Sequence, residues 1–413
     1  PRHPLTDNPR TDPAPGGGPA ARTVKMSKFL ARAGVQTTVL TVENGRTLPT
    51  SVAKGVQVNG MPGLFRRFHI PKPVFSELNR QVKGVDIIHL MNHWTTLNAM
   101  VYLIARRARK PYVFCPAGAL PNVGRSRLLK LVYNQLIGYR IARHARACIA
   151  ISHNEIDHFS AYGVPGEKVR VIPNGVDPDD FRCRDDQDFR EKYVLGENPF
   201  LLFMGRLNHI KGPDLLIRAF ARIHGQFESL KLVLAGPDDG LKPNLIRIVK
   251  EMNLMDHVRF IGYVGGKEKS CAYHAADILV IPSRQEAMSI VVLEAGICGT
   301  PVVLTDRCGF DAVAEVSGGR VVPATIEGLE HGILSIMAHS KNTTLFGANL
   351  KKFIEKNFIW DVIVRNYVDL YNAMMPGKVK CESWSSLNIS GPKIFQLTIL
   401  PPACKIKDMN WRC

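Results

Sequence analysis

Long apolar runs and paired cysteine motifs are absent from this sequence. No stretch of about 18 or more apolar residues occurs, so the sequence predicts no membrane-spanning segment. The nine cysteines show no CxxC spacing, which disfavours a disulfide framework or a cysteine metal site and is typical of a reducing compartment. No secretory signal opens the sequence. We therefore expect a cytoplasmic protein.

Acidic residues are scarce in the first third. Residues 1–150 hold 23 Lys and Arg against 5 Asp and Glu, whereas residues 151–413 hold 31 of each. The whole net charge of +18 therefore lies in the first 150 residues. A field of this kind attracts phosphates of a nucleic acid, an anionic lipid or a phosphorylated substrate.

Short β-branched runs alternate with amphipathic stretches, which predicts parallel α/β layers. We predict two facing doubly wound domains, over residues 1–178 and 179–375, with the ligand in the cleft at the carboxyl ends of the strands. The acid-rich stretch 178–197 is predicted to be a linker, and 376–413 an irregular tail, possibly disordered. The opening PRHPLTDNPRTDPAP cannot be the apolar strand that usually begins such a domain. We expect that the first strand is missing, that the first sheet has a gap, and that folding and activity suffer.

Two glutamates, Glu286 and Glu294, stand eight positions apart in the stretch SRQEAMSIVVLEAG at 283–296, directly after a predicted strand. A helix predicted at 289–298 begins between them, which would separate the carboxylates by about 10–12 Å. Free N–H groups at the helix start suit a diphosphate. The pair could thus bind the two ends of a sugar nucleotide, although two unrelated acids on a surface remain an alternative.

Two cations, Arg206 and Lys211, occupy another strand-to-helix loop in FMGRLNHIKGPDLL at 203–216. Together they could clamp a diphosphate and stabilise its charge as it leaves. Gly205 and Gly236 end the predicted strands FLLFMG and KLVLAG and are predicted to border the donor. A solvated loop is the alternative.

Three glycines, Gly16, Gly17 and Gly18, lead into the first predicted helix. They would let a ligand approach the backbone closely. No strand precedes them and the spacing is not GxGxxG, so a flexible linker is an equal alternative.

A basic amphipathic helix is predicted over 126–147, and such a surface can lie on an anionic bilayer. A core-facing helix with a solvated basic face is the alternative. His93, in the loop after the strand DIIHL, is expected to face the cleft, where it could have a catalytic or acceptor-binding role. A histidine without such a role is the alternative.

Several ordered motifs together resemble those of the retaining glycosyltransferases of family 4, which have the GT-B fold. They are GGGPAART, DIIHLMNHW, VIPNGVD, FMGRLNHIKG, LVLAGP, EAMSIVVLE and EAGICGTPVV. The resemblance covers roughly residues 15–375.

The resemblance implies specific roles. Arg206 and Lys211 would bind the donor diphosphate, Glu286 the sugar and Glu294 the ribose. The backbone of Met288, Ser289 and Ile290 would approach the phosphates, and the glycines at 16–18 would close over them. No metal ion or other cofactor is implied, and the donor would be UDP- or GDP-linked. This sequence departs from the family at Ala287 and Ser289, which replace glycines, and at Ala117, which replaces a histidine in many members.

We therefore expect a hexosyltransferase that moves a sugar from a nucleotide-sugar to a lipid-linked or polysaccharide acceptor with retention. Such an enzyme would serve polysaccharide, lipopolysaccharide or cell-envelope synthesis, peripherally at the inner membrane face. A basic nucleic-acid-binding protein is an alternative, but basic residues are not interleaved with stacking aromatics and no recognition module appears. Another GT-B enzyme, a phosphorylase or an epimerase, also remains open.

Overall fold

Two sheets organise the structure, the first mixed but mainly parallel and the second parallel. The structure is a computed structural model that describes residues 17–43, 51–65, 70–71, 75–122, 126–338, 340–375 and 393–397. The strands of the first sheet are β1 (Gln36–Glu43), β2 (Ser51–Ala53), β3 (Val56–Phe65), β4 (Ile70–Pro71), β5 (Ile87–Met91), β6 (Tyr112–Cys115), β7 (Ala147–Ala150), β8 (Val169–Val171) and β15 (Lys393–Leu397). Their order is β2-β3-β1-β15-β5-β6-β7-β8, and β4 pairs with β3. The β2–β3 and β3–β4 pairs are antiparallel and the others parallel.

The second sheet is parallel throughout, with the order β11-β10-β9-β12-β13-β14. Its strands are β9 (Phe200–Met204), β10 (Lys231–Ala235), β11 (Val258–Gly262), β12 (Ile278–Ile281), β13 (Val302–Thr305) and β14 (Gly319–Val322). The central strands are apolar and buried because helices cover both faces. This arrangement of two sheets with alternating helices is the predicted α/β architecture.

Helices connect the strands in the described ranges. They are α1 (Gly17–Arg32), α2 (Phe75–Lys83), α3 (Thr96–Arg107), α4 (Arg127–Tyr133), α5 (Tyr139–His144), α6 (Glu155–Ala161), α7 (Asp186–Lys192), α8 (Pro213–His224), α9 (Lys242–Glu251), α10 (Gly266–Ala275), α11 (Ile290–Cys298), α12 (Ala312–Glu315), α13 (Ile326–Met337), α14 (Ser340–Asn357) and α15 (Trp360–Met374). The predicted linker 178–197 contains one of them, α7.

β15 occupies the place in the first sheet where the sequence predicted a gap. It pairs in parallel with β1, from Gln36 opposite Lys393 to Leu40 opposite Leu397, and with β5 on its other side. The prediction of an irregular tail over 376–413 is therefore wrong at residues 393–397, and the expected gap is filled. The sequence predicted that a strand was missing from the first sheet. The five-residue run KIFQL was too short to be identified as the strand that occupies this position between β1 and β5.

α15 returns from the second sheet to the first and packs on α1. Trp360 stacks on Phe29 with ring centroids 6.1 Å apart, and the His89 Nδ1 lies 2.8 Å from the Tyr371 hydroxyl. A β-bridge also joins Val176 to Ile359, just before α15. The chain therefore crosses from the first half to the second near residue 178 and returns to the first half with α15. The domain boundary at residue 178 remains a prediction. That boundary assigns α15 to the second domain, yet α15 contacts α1 of the first half.

The predicted basic helix over 126–147 is present as continuous helical backbone from Arg127 to His144, with one change of hydrogen-bond pattern inside it. A π-helical turn at Asn134–Gly138 separates α4 from α5. The wider turn places the Asn134 side chain inward, where it bonds to His93, Trp94 and Tyr162. The inward Asn134, which apolar periodicity does not reveal, thus accompanies a local widening of a helix that continues on both sides.

Candidate active site

The loop after β9 presents the two predicted cations at the carboxyl edge of the second sheet. Arg206 Nη1 lies 3.1 Å from Asp239 Oδ2, and the Arg206 side chain is 60% exposed. An ion pair this exposed is weak, so Arg206 can exchange Asp239 for a ligand oxygen at small cost. Lys211 is fixed more firmly, because its backbone N–H donates to Asn208 Oδ1 at 2.9 Å.

Gly236 permits the close approach of two strand ends beneath this loop. Its φ is +147°, and a Cβ there would lie 1.8 Å from the Gly205 carbonyl oxygen. Any side chain would therefore push β9 and β10 apart. Gly205 is not restricted in this way, since the nearest atom to a Cβ there would be 3.4 Å away, in Phe203. The donor-binding role of both glycines remains a prediction.

Glu286 and Lys211 meet across the edge of the sheet. The Lys211 Nζ lies 2.7 Å from Glu286 Oε1, and the Ser283 hydroxyl donates to the same oxygen. The Glu286 side chain is largely buried, and its backbone N–H donates to the Arg307 carbonyl at 2.8 Å. The two loops selected from the sequence thus form one site with a preformed ion pair.

The start of α11 lies between the two glutamates, with the helix beginning at Ile290. Helix starts leave backbone N–H groups without intrahelical partners. Ser289 is extended just before the helix, and its buried hydroxyl has no hydrogen-bond partner among the described residues. Met288 is buried and its Sδ lies 3.4 Å from the Asn174 backbone nitrogen. The start of α11 therefore offers hydrogen-bond donors, from its first backbone N–H groups and from the Ser289 hydroxyl, that a ligand could use.

Glu294 is bound at both carboxylate oxygens by α10. Lys269 Nζ lies 2.6 Å from Oε1, and the Tyr273 hydroxyl donates to Oε2 at 2.6 Å. Burial raises the pKa of Tyr273 well above its usual value, and the adjacent Glu294 raises it further, so Tyr273 remains a donor. Each oxygen retains a lone pair that could accept a hydrogen bond from a ligand hydroxyl.

The first half of the chain contacts the site through two loops. A Cβ at Gly118, whose φ is +85°, would lie 2.9 Å from the Ala287 Cβ. The Gly118 N–H donates to Glu155 Oε1 at 2.5 Å, and Asn174 Nδ2 lies 3.5 Å from the Met288 carbonyl oxygen. The loop that holds Glu286 therefore borders the cleft between the two sheets.

His93 differs from its predicted environment. It is only 3% exposed and lies among the rings of Trp94, Phe114, Tyr133 and Tyr162. The expectation that it faces the cleft is wrong, because the loop after β5 turns it into an aromatic cage. Burial lowers its pKa to about 4, so the imidazole is neutral near pH 7.

The hydrogen bonds of His93 establish its tautomer. Asn134 Oδ1 lies 2.9 Å from both His93 Nε2 and Trp94 Nε1. Indole N–H groups only donate, so the shared atom is an acceptor and His93 carries its proton on Nε2. The buried Nδ1 has no partner among the described residues. A catalytic role for His93 remains a prediction.

The remaining sequence predictions concern the glycines before α1, metal binding and membrane spanning. Gly17 and Gly18 are the first two residues of α1, whereas Gly16 lies outside the described residues. Within the described ranges, no cluster of three or more His, Cys, Asp or Glu could hold a metal ion. In those same ranges no helix is both long and apolar enough to cross a bilayer.

Sequence reasoning missed the residues that orient the predicted ones. Lys269 and Tyr273 hold Glu294, Ser283 holds Glu286, and Asn134 holds His93. Lys269 and Tyr273 are four positions apart and so share one helix face, which is a readable signal. Nothing in the sequence indicated which acid that face would meet.

Comparison with known proteins identifies the family. The model described as Glycosyl transferases group 1 matches residues 185–353, and the model described as Glycosyltransferase Family 4 matches residues 16–180. The D-inositol 3-phosphate glycosyltransferase 1 of Catenulispora acidiphila is 30% identical over 344 residues, which are 74% of this chain and 79% of that protein. The chain belongs to glycosyltransferase family 4. It is an enzyme of the transferase class EC 2.4, as predicted.

Two further comparisons concern this glycosyltransferase. An uncharacterized glycosyltransferase of Methanocaldococcus jannaschii is 32% identical over 223 residues, 52% of this chain and 57% of that protein, so the match spans little more than half of that relative. The Anabaena HepE structure in complex with UDP-glucose superposes with a TM-score of 0.67 at 18% identity, over 81% of this chain and 99% of that one. The GT-B fold predicted from the sequence is confirmed.

Proposed function

We propose that this glycosyltransferase uses a nucleotide-sugar donor, UDP- or GDP-linked, and transfers the sugar with retention of anomeric configuration. The observation that carries the proposal is the Lys211–Glu286 pair, whose Nζ and Oε1 atoms lie 2.7 Å apart; Glu286 stands four positions before the first residue of α11. A diphosphate at this helix start would meet backbone donors, the buried Ser289 hydroxyl and Lys211. The HepE complex with UDP-glucose supports a uridine nucleotide.

The proposed reaction exchanges one bond at the anomeric carbon of the sugar. The bond between the anomeric carbon and the phosphate oxygen breaks, and an acceptor hydroxyl bonds to that carbon from the same face. The acceptor proton passes to the departing phosphate oxygen. Lys211 and Arg206 would stabilise the charge that develops on the diphosphate, a role that substitutes for a metal ion. Glu286 would hold the sugar hydroxyls and Glu294 the ribose.

The acceptor proposed here is anionic or membrane-bound, a lipid-linked or polysaccharide precursor. Residues 1–150 carry the entire net positive charge, and α4 exposes leucines among basic residues. A second candidate is a small phosphorylated polyol, which the name of the Catenulispora relative favours. A lipid acceptor linked through phosphate and a phosphorylated polyol are both anionic, so the charge of the first half fits either.

Calorimetric donor binding by the wild-type protein tests the proposal, and two substitutions test the roles of Lys211 and Glu294. Calorimetry with UDP-glucose, GDP-mannose and ADP-glucose should reveal binding of at least one. Lys211→Ala should lower kcat about 100-fold or more with little change in Tm, because it removes charge stabilisation from the transition state. Glu294→Ala should weaken nucleotide binding at least tenfold, because it removes the ribose contact.

Lys192→Ala is the matched control, because Lys192 pairs with Glu268 on the surface. It should leave both kcat and nucleotide affinity unchanged. Binding of no nucleotide-sugar by folded protein would refute the proposal. Products separate the related enzymes: a phosphorylase releases a sugar phosphate, an epimerase changes the sugar, and NMR of a transferred glycoside reports retention.

A further inference from the structure

Two cysteines face each other where the connection between the halves meets α10. The Sγ atoms of Cys183 and Cys271 lie 3.2 Å apart, although 88 positions separate them in sequence. Cys183 follows the short helical turn Pro178–Phe181, and Cys271 lies in α10. Both are free thiols, Cys271 buried and Cys183 partly exposed. No part of the proposed glycosyl transfer uses either of them.

Neighbouring contacts hold the two sulfur atoms in place. The Ser270 hydroxyl donates to the Cys183 carbonyl at 2.6 Å, and His274 Nε2 lies 3.1 Å from the Phe181 carbonyl oxygen. Phe181 also packs on Tyr273, with ring centroids 6.0 Å apart. The segment around residue 183 is thus fixed to one face of α10, and closing the sulfur atoms to a bonded distance of about 2.05 Å needs only a small shift.

We propose that Cys183 and Cys271 form a reversible disulfide that ties the interdomain connection to α10. The oxidant is a low-molecular-weight disulfide such as oxidised glutathione. The Cys183 thiolate attacks it, forming a mixed disulfide and releasing one thiol. The Cys271 sulfur then attacks Cys183 Sγ, which forms the protein disulfide and releases the second thiol, while the two cysteine protons leave with the released thiols. Two electrons pass from the cysteine pair to the oxidant.

The order of attack follows from exposure. Cys183 is the thiol that a solution disulfide can reach. Burial raises the pKa of Cys271 to about 11, which keeps it protonated and makes the second step slow. The disulfide should therefore form over minutes to hours under moderate oxidant and be reversed by dithiothreitol.

The helix that carries Cys271 also holds the proposed ribose-binding residue. Lys269 and Tyr273, one on each side of Cys271 in α10, bind the two oxygens of Glu294. Even a small shift of α10 toward residue 183 would lengthen these two hydrogen bonds. This consequence rests on the proposed function, and we expect the oxidised protein to bind its nucleotide-sugar at least threefold more weakly.

Mass spectrometry tests the bond without any donor. After treatment with oxidised glutathione, the peptide carrying Cys183 should be found linked to that carrying Cys271. Of the nine cysteines, seven should then remain open to alkylation in the unfolded, unreduced protein. The Tm should rise by roughly 5–10 °C, because the bond closes a loop of some 90 residues.

Cys183→Ser and Cys271→Ser should each abolish the linked peptide and the rise in Tm. Cys298→Ser, at a partly exposed cysteine elsewhere, should retain both. Absence of the linked peptide from oxidised wild-type protein would overturn the proposal. A linked peptide with unchanged donor affinity would overturn the coupling to Glu294 alone, and failure of the reduced protein to bind any donor would count against the proposed function instead.

Discussion

At the scale of residues, both predicted carboxylates are neutralised by lysines before any ligand arrives. Glu286 pairs with Lys211, which the sequence had already selected, because both follow strands that end at the same edge. Glu294 pairs with Lys269, which the sequence had not selected. Residue types that follow a strand can be read from sequence, whereas partners supplied by a separate helix depend on tertiary packing.

The buried imidazole of His93 should make stability depend on pH. Its pKa is lowered to about 4 in the folded protein, against a usual value near 6.5, so the unfolded chain binds the proton first. Above pH 6.5 the imidazole is neutral in both the folded and the unfolded state, and its burial costs no protonation energy. As the pH falls toward 4, the proton binds to the unfolded chain and lowers the free energy of unfolding. At pH 5 the loss is roughly 2 kcal/mol. His93→Gln should therefore show a smaller fall in unfolding free energy between pH 7 and pH 5, measured by urea denaturation.

His153→Gln is the matched control, because His153 is exposed. It should follow the wild-type curve over the same pH range. An identical fall for His93→Gln and wild type would mean that His93 is not buried as a neutral imidazole.

At the scale of elements, β9 and β10 end within one residue of the predicted strands FLLFMG and KLVLAG, because each is a short apolar run that is almost wholly buried. β15 and the π-helical turn between α4 and α5 were not predicted, and for different reasons. β15 is short, and only its two neighbours define it as a strand. The π-helical turn places one polar residue, Asn134, inward, and its partners are distant in sequence.

Removing β15 should destabilise the first sheet selectively. A chain that ends at residue 375 loses the pairing with β1 and β5 and leaves two unpaired edges in the middle of the sheet. At about 1 kcal/mol per backbone hydrogen bond, the cost is on the order of 5–10 kcal/mol. Calorimetry should show that the first half unfolds at a lower temperature than the second sheet, in a separate transition.

A chain that ends at residue 397 keeps β15 and serves as the control. It should melt like the full-length protein. If both shortened chains melt alike, β15 does not contribute to the stability of the sheet.

At the scale of the whole molecule, charge and apolar surface coincide on the first half. Leu128, Leu129 and Leu136 are 71%, 63% and 67% exposed, and Arg127 and Arg140 are exposed beside them. The sequence predicted this surface because basic and apolar residues alternate there. α4 has no buried residue, so its leucines are free to meet a lipid surface.

Binding to anionic vesicles should depend on those leucines. The double variant Leu128→Ser, Leu129→Ser should lower partition onto phosphatidylglycerol vesicles at least tenfold in flotation assays, since each buried leucine contributes roughly 1.5–3 kcal/mol. Phosphatidylcholine vesicles should bind little protein, and added salt should weaken the anionic case.

The double variant Met255→Ser, Leu345→Ser removes apolar residues of comparable exposure from the second half. It should bind anionic vesicles like the wild type. Equal losses in both double variants, or none in either, would rule out α4 as the membrane contact.

The position of β15 also determines when the protein can mature during synthesis. Every strand of the second sheet is complete by residue 322, yet the first sheet must wait for residues 393–397. On the ribosome, the earlier-made half would therefore leave the exit tunnel with a split sheet, exposing the facing edges of β1 and β5 to chaperones and to neighbouring nascent chains. Translation speed over the codons between residues 322 and 397 would then influence the yield of active enzyme.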